Sequence, residues 1–218
     1  MYRIHHLEQS RSHRIVWLAE ELQLNYELVT YKRDPQTLRA PQSLCAIHPL
    51  GKSPLLEDNG QVISESASII DYLLDRHNHN LRPAYDTSAY EQYRYWLHFS
   101  EASLMPLLFA RLIVSRTAKP PIPALLRPIT SKVVNGINSA FFDPELSKLT
   151  TYLADHLDQQ PYFVGESFTA ADIQMAYPVS AFAGAHPTID AWLERVCSRP
   201  AQQRAVEKGA AIERPGAN

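Results

Sequence analysis

Residues 2–7 place Tyr2, Ile4 and His6 on one face, the two-residue period of a short strand. Ile15, Leu18, Ala19 and Leu22 then recur at helical spacing, with Ser10 or Ser12 where that helix would be capped. Tyr26 to Tyr31 alternates as a second strand, which completes a βαβ unit with an expected right-handed crossover. Residues 35–47 read as irregular or weakly helical. Two apolar runs, Pro54-Leu55-Leu56-Glu57 and Gln61-Val62-Ile63, flank Asp58-Asn59-Gly60; Asn-Gly between such runs is a strong hairpin signal. Ile69, Ile70, Leu73 and Leu74 mark a third helix that ends in the polar Arg76-His77-Asn78-His79-Asn80.

Arg82-Pro83-Ala84-Tyr85-Asp86 reads as a linker, and no convincing strand follows it. Trp96, Phe99, Leu104, Leu107, Leu108, Phe109, Leu112 and Ile113 make a long apolar helix that Pro106 is expected to kink. Lys119-Pro120-Pro121-Ile122-Pro123 breaks the pattern, and a further helix runs to about Ile137. Leu146, Leu149, Leu153 and Leu157 recur at amphipathic spacing. Phe168-Thr169-Ala170-Ala171-Asp172-Ile173 reads as a capping box with a staple: Thr169 caps, Asp172 reaches back, and Phe168 packs on Ile173. Helices near 189–196 and 201–208 follow, and residues 207–218 are expected to fray. The predicted order, β-α-β-(α)-β-β-α and then helices alone, gives the fold class α/β + all-α. A thioredoxin-like domain is expected over 1–80 and an all-helical domain over 87–218.

Composition narrows the picture. The chain has 218 residues, 45% of them hydrophobic and 20% charged, enough for a substantial core. A formal charge of −2 leaves no footprint for nucleic acid or anionic lipid. No apolar run approaches the roughly 20 residues of a membrane span, so no membrane partner is expected. The start, Met1-Tyr2-Arg3-Ile4-His5-His6, lacks the apolar core of a signal peptide. Cys45 and Cys197, far apart in the chain, form no redox or zinc motif and read as reduced thiols of a cytoplasmic protein. His77, His79 and His98 lack the carboxylate or cysteine spacing of a metal site, so none is expected.

The most informative stretch is His48-Pro49-Leu50-Gly51-Lys52-Ser53-Pro54-Leu55-Leu56, followed at Glu65-Ser66 by an apolar helix. Ordinary packing does not ask for that order, whereas a pocket for a small, extended, doubly charged peptide would. It resembles the glutathione site of the glutathione transferase family, whose usual pattern is Asn-Pro-x-Gly-x-Val-Pro-x-Leu, then Glu-Ser. Thr169-x-x-Asp172 matches that family's capping signature in its helical domain. Ser10-Arg11-Ser12-His13-Arg14-Ile15-Val16-Trp17-Leu18 is similar to a bacterial and fungal branch with a serine near the start. The resemblance covers nearly the whole chain.

What the resemblance implies can be stated residue by residue. Glutathione carries one ammonium, two carboxylates and a thiol. Glu65 and Ser66 would take the γ-glutamyl end, the carboxylate suiting the ammonium and the hydroxyl with the helix N-terminus suiting the anion. Both are also good first-turn residues for any helix. Ser53-Pro54, with an implied cis bond, would pair through its backbone with the middle of the peptide. Lys52 would meet the glycyl carboxylate, although a lone lysine is more commonly a solvated surface charge. His48 is assigned no contact. Ser10 would donate a hydrogen bond to the sulfur, with Ser12 as the rival donor. A free thiol titrates near pH ~8.5. Lowering that by two units needs about 2.7 kcal/mol, which one hydrogen bond to a charged group, worth roughly 1.5–3 kcal/mol, can supply. Met105, Phe109, Leu112 and Ile113 would wall an apolar pocket. Glu101 would be a solvated acid or reach a ligand in a neighbouring subunit.

The expected activity is a glutathione transferase that conjugates the thiolate to apolar electrophiles, with organic hydroperoxides as further substrates. No cofactor is implied, glutathione being a co-substrate, and a homodimer is. One rival is a thiol or disulfide reductase, which would need Cys near position 10, where none stands. The other is a non-catalytic glutathione-binding or scaffold relative with the same fold.

Overall fold

The computed structural model describes residues 1–77, 80–119 and 122–212. Its first part is a four-stranded mixed sheet in the order β2-β1-β3-β4. Strand β1 (Tyr2–Leu7) pairs in parallel with β2 (Tyr26–Tyr31) across helix α1 (His13–Glu21). After α2 (Gln42–Ile47), strands β3 (Leu55–Asp58) and β4 (Gln61–Ser64) add an antiparallel hairpin. Asn59 and Gly60 both take positive φ, 48° and 82°, so the two-residue turn has the twist that suits a hairpin. Helix α3 (Ser66–Arg76) closes this part, which is the thioredoxin-like arrangement.

Everything beyond is helical: α4 (Ser88–Phe99), α5 (Met105–Arg116), α6 (Arg127–Ile137), α7 (Asp143–Gln159), α8 (Ala170–Val179), α9 (Pro187–Cys197) and α10 (Pro200–Glu207). Pro106 does not kink the long helix as a simple break. A widened π turn over Ser100–Leu104 joins α4 to α5 and ends just before Met105-Pro106. Proline removes one N–H and crowds the preceding turn, and a wider turn relieves that crowding. The same device recurs where Asn138–Phe142 joins α6 to α7 ahead of Asp143-Pro144. Among the described residues, Ser88–Arg116 is one helix long and apolar enough, by length and composition, to cross a membrane. This corrects the expectation of no such run. The charged Glu101 and Arg111 interrupt the apolar run without outweighing it.

One continuous core joins the sheet to the helices, from Ile4, Trp17 and Leu56 through Trp96 and Phe163 to Trp192. Helix α10 clasps α1: Glu20 binds Arg204 at 2.9 Å and also Lys208, and Glu21 binds Arg199 at 2.6 Å. The capping box of α8 is present, and its acid does more than cap. Asp172 accepts from the backbone N–H groups of Thr169 (2.9 Å) and Phe163 (3.0 Å) and from the Trp192 indole (3.2 Å). Burial still pushes its carboxyl up to about 6 against those bonds. Of the tail expected to fray, residues 207–212 are described, with Ala210 buried, and 213–218 lie outside.

Candidate active site

A cleft of about 770 Å³ opens between the sheet's loops and α5. On the sheet side it is lined by Ser10, Arg11, Arg33, Lys52 and Ser53. On the helical side it is lined by Glu101, Met105, Phe109, Leu112, Ile113 and Arg116, with Tyr177 of α8.

Ser10 and Ser12 sit in different surroundings. Ser12 occupies the N-cap position of α1 but makes no side-chain cap bond, contrary to one of the two capping expectations. Its hydroxyl is fully buried and turned to the His6 Nδ1 at 2.8 Å and the Leu7 carbonyl at 3.3 Å. Ser10 faces the cleft. Its Oγ accepts from the Ser12 backbone N–H at 3.2 Å and shares a 2.7 Å hydrogen bond with the Ser12 hydroxyl. With Ser12 donating, both acceptor sites of Ser10 are filled and its own proton remains for the cleft. His13 fixes the backbone here, its Nδ1–H donating to the Ser10 carbonyl at 3.1 Å. Burial and the neighbouring Arg14 hold the His13 imidazole neutral, its pKa down at about 3. Burial lowers His6 as well.

The next loop brings Lys52 and Ser53 to the cleft and begins β3 at a cis Ser53–Pro54 bond, with Pro54 buried. Ser53 has a side-chain role beyond the expected backbone one: its hydroxyl donates to the His5 carbonyl at 2.7 Å and accepts from the Leu7 N–H at 3.2 Å. That stitches the loop to β1. Gly51 is required by close approach. Its φ is +56°, and a Cβ there would stand 2.6 Å from the Cys45 sulfur.

Glu65 and Ser66 stand at the head of α3, beyond the end of the cleft. Glu65 takes φ +70°, a strained conformation for a non-glycine residue, of the kind that persists where surroundings enforce it. Ser66 is buried, and its Oγ accepts from Arg14 and from Gln174, each at 3.3 Å. Its proton is therefore also free to donate. Arg14, fully buried, continues to Glu101 at 2.5 Å and to the Ser100 hydroxyl at 3.1 Å. Arg11 grips the other Glu101 oxygen. Burial alone would raise the Glu101 carboxyl, but Arg14 and Arg11 outweigh it and hold it below its usual value. Glu101 is thus neither a solvated acid nor directed at a neighbour; it pairs within its own chain.

The sequence reading missed Arg14, Gln174 and the Ser12–His6 link. A signal for the first was present: an arginine inside the apolar Ile15-Val16-Trp17-Leu18 helix, because a buried charge demands a partner. Among the described residues no group of three or more His, Cys, Asp or Glu could hold a metal. His77 hydrogen-bonds Tyr2 at 2.9 Å, and His79 lies outside the described residues.

Comparison with known proteins agrees with this layout. Residues 2–75 match the glutathione S-transferase N-terminal domain and residues 142–200 its C-terminal domain. The chain is 39% identical to glutathione S-transferase 3 of Schizosaccharomyces pombe, over 94% of this chain and 86% of that one. It is 32% identical to glutathione S-transferase 1 of Saccharomyces cerevisiae, over 96% of each. A crystal structure of a glutathione S-transferase from Actinobacillus pleuropneumoniae superposes with a TM-score of 0.77 at 34% identity, covering 95% of this chain and 92% of that one. The chain belongs to the glutathione S-transferase family.

Proposed function

We propose that this enzyme binds glutathione along the sheet side of the cleft and delivers its thiolate to an electrophile on α5. Lys52 meets the glycyl carboxylate. The Ser53–Pro54 backbone pairs with the cysteinyl residue, and Glu65 with Ser66 holds the γ-glutamyl end. Ser10 donates to the sulfur. The observation that carries the reading is the Ser10 hydroxyl, at the cleft with both acceptor sites engaged by Ser12. Such a group stabilises a thiolate without acting as nucleophile or base. Rate then comes from thiolate population and proximity.

Attack at carbon forms the C–S bond and expels a leaving group or adds across a double bond. The same thiolate would attack a hydroperoxide oxygen, releasing alcohol and leaving a sulfenic acid that a second glutathione converts to disulfide and water. Met105, Phe109, Leu112 and Ile113 supply the apolar wall for either substrate.

The reading extends to a homodimer, with a cytoplasmic site of action suited to the two free thiols. A shallow concavity of about 390 Å³ on α4, lined by Glu91, Tyr95, His98 and Phe99, and the exposed Tyr95–Tyr152 pair (2.9 Å) support a docking face there. Sedimentation equilibrium checks it; a monomer at micromolar concentration would remove this part.

The test of the activity is an ultraviolet titration of the bound thiolate across pH 5–9. Wild type should show a thiol pKa well below free glutathione, and Ser10→Ala should return it toward the free value. Tight glutathione binding with an unshifted thiol would point instead to a non-catalytic binding module.

A further inference from the structure

The ionisable lining of the cleft is unbalanced. Arg11, Arg33, Lys52 and Arg116 face a single carboxylate, Glu101. Glu101 is already shared by Arg11 and the buried Arg14. Arg33 directs its donors to the carbonyl oxygens of Glu8, Leu38 and Gln9, at 3.2, 2.9 and 3.1 Å. Those acceptors are neutral and leave its charge in place. With Lys52 given to the glycyl carboxylate of glutathione, one cation remains on the opposite wall. Arg116 has no ion pair and no side-chain hydrogen bond among the described residues.

Its position on the helix gives that cation a meaning. Met105, Phe109, Leu112 and Arg116 are spaced by four, three and four residues and share one face of α5, the face that lines the cleft. Arg116 follows Met105 by about 16 Å of helical rise, and its long side chain leans back over the preceding turn. Phe109 and Ile113, between them, are 59% and 51% exposed. The wall is therefore an uncovered apolar track with Glu101 at the end nearer Ser10 and an unneutralised guanidinium at the other. A wholly apolar substrate would cover the track and leave the guanidinium without a partner. A cleft of one dominant sign also draws in ligands of the opposite sign.

We propose that the second substrate is an acidic amphiphile, an apolar chain or ring system with an electrophilic carbon at one end and a carboxylate at the other, the carboxylate held by Arg116. This rests on the glutathione-thiolate reading above. A guanidinium in the last turn of a helix also complements the helix dipole; that role would alter stability and leave substrate preference alone.

The probe is 10-iododecanoate against its methyl ester, with the same reacting carbon in both. The thiolate lone pair forms the C–S bond as the C–I pair departs with iodide. Wild type should favour the acid by about five- to tenfold in kcat/KM, the size of one charge-assisted contact at a partly exposed site. The preference should fall toward unity in Arg116→Gln, persist in Arg116→Lys and invert in Arg116→Glu. The shorter 4-iodobutanoate, which does not span the track, should show no advantage over its ester. Equal use of acid and ester by wild type, or a preference unchanged in Arg116→Gln, overturns the proposal. The neutral 1-chloro-2,4-dinitrobenzene separates the two levels. If it is conjugated and the acid shows no advantage, this proposal alone falls. If it is not conjugated and bound glutathione keeps an unshifted thiol, the transferase reading falls and this proposal with it.

Discussion

The two walls of the cleft are built on opposite plans. The sheet-side wall is a web of buried polar groups, each held by another: Ser66 by Arg14 and Gln174, Arg14 by Glu101, Ser10 by Ser12, Ser12 by His6. The α5 wall is a row of side chains that touch little, with Phe109 and Ile113 more than half exposed. A web of buried polar groups fixes one geometry, and each loss strands a partner. An exposed apolar row can be rewritten at small cost to the fold. The first plan suits a ligand that never changes, and the second a substrate that differs between relatives.

Arg14→Ala should break this contrast most severely. It leaves Glu101 and Ser66 without their buried partner and should cost about 3–5 kcal/mol in urea denaturation. A loss under 1 kcal/mol would show that the web is not holding the wall. Ser12→Ala comes next, at about 1–3 kcal/mol for stranding the buried His6 nitrogen. Ser10→Ala, facing the cleft, should cost less than about 1 kcal/mol while raising the bound thiol pKa. The reverse ranking of the two serines would exchange their roles.

Acid sharpens the comparison further. His13 titrates at about 3 in the fold against 6.5 unfolded, so below pH 6.5 the unfolded chain takes a proton that the fold refuses. Stability from this group is present above that pH and falls by up to about 1.4 kcal/mol per unit as pH drops toward 3. Asp172, raised to about 6, works in the opposite direction: its contribution is lost as pH rises from its usual value through about 6. Denaturation midpoints at pH 7 and 5 should differ less in His13→Gln than in wild type. Smallest is Phe109→Ala, expected within about 1 kcal/mol in stability, with its effect in KM for the second substrate.

Much of the architecture was legible because the signals are local. The Asn59-Gly60 turn, the Thr169–Asp172 box and the periodicities at 15–22 and 146–157 each lie within one element. The cleft was half legible. Ser10, Lys52 and Ser53 line it, and so do the apolar residues of α5. Glu101 could not be placed, because its partners Arg11 and Arg14 lie on a different element some 90 positions away. The Ser53 hydroxyl likewise bonds a strand that sequence proximity does not reveal. Pro106 was read as a kink because proline marks a disturbance without saying how the backbone absorbs it.

That absorption matters beyond the helix itself. A π turn carries one residue more than an α turn spanning the same carbonyls. Deleting one residue within Ser100–Leu104 would restore even winding and turn everything beyond it by about 100°. Met105, Phe109, Leu112 and Arg116 would swing out of the cleft together while α4 stayed where it is. The extra residue acts as a dial, and its setting decides which face of α5 meets the second substrate.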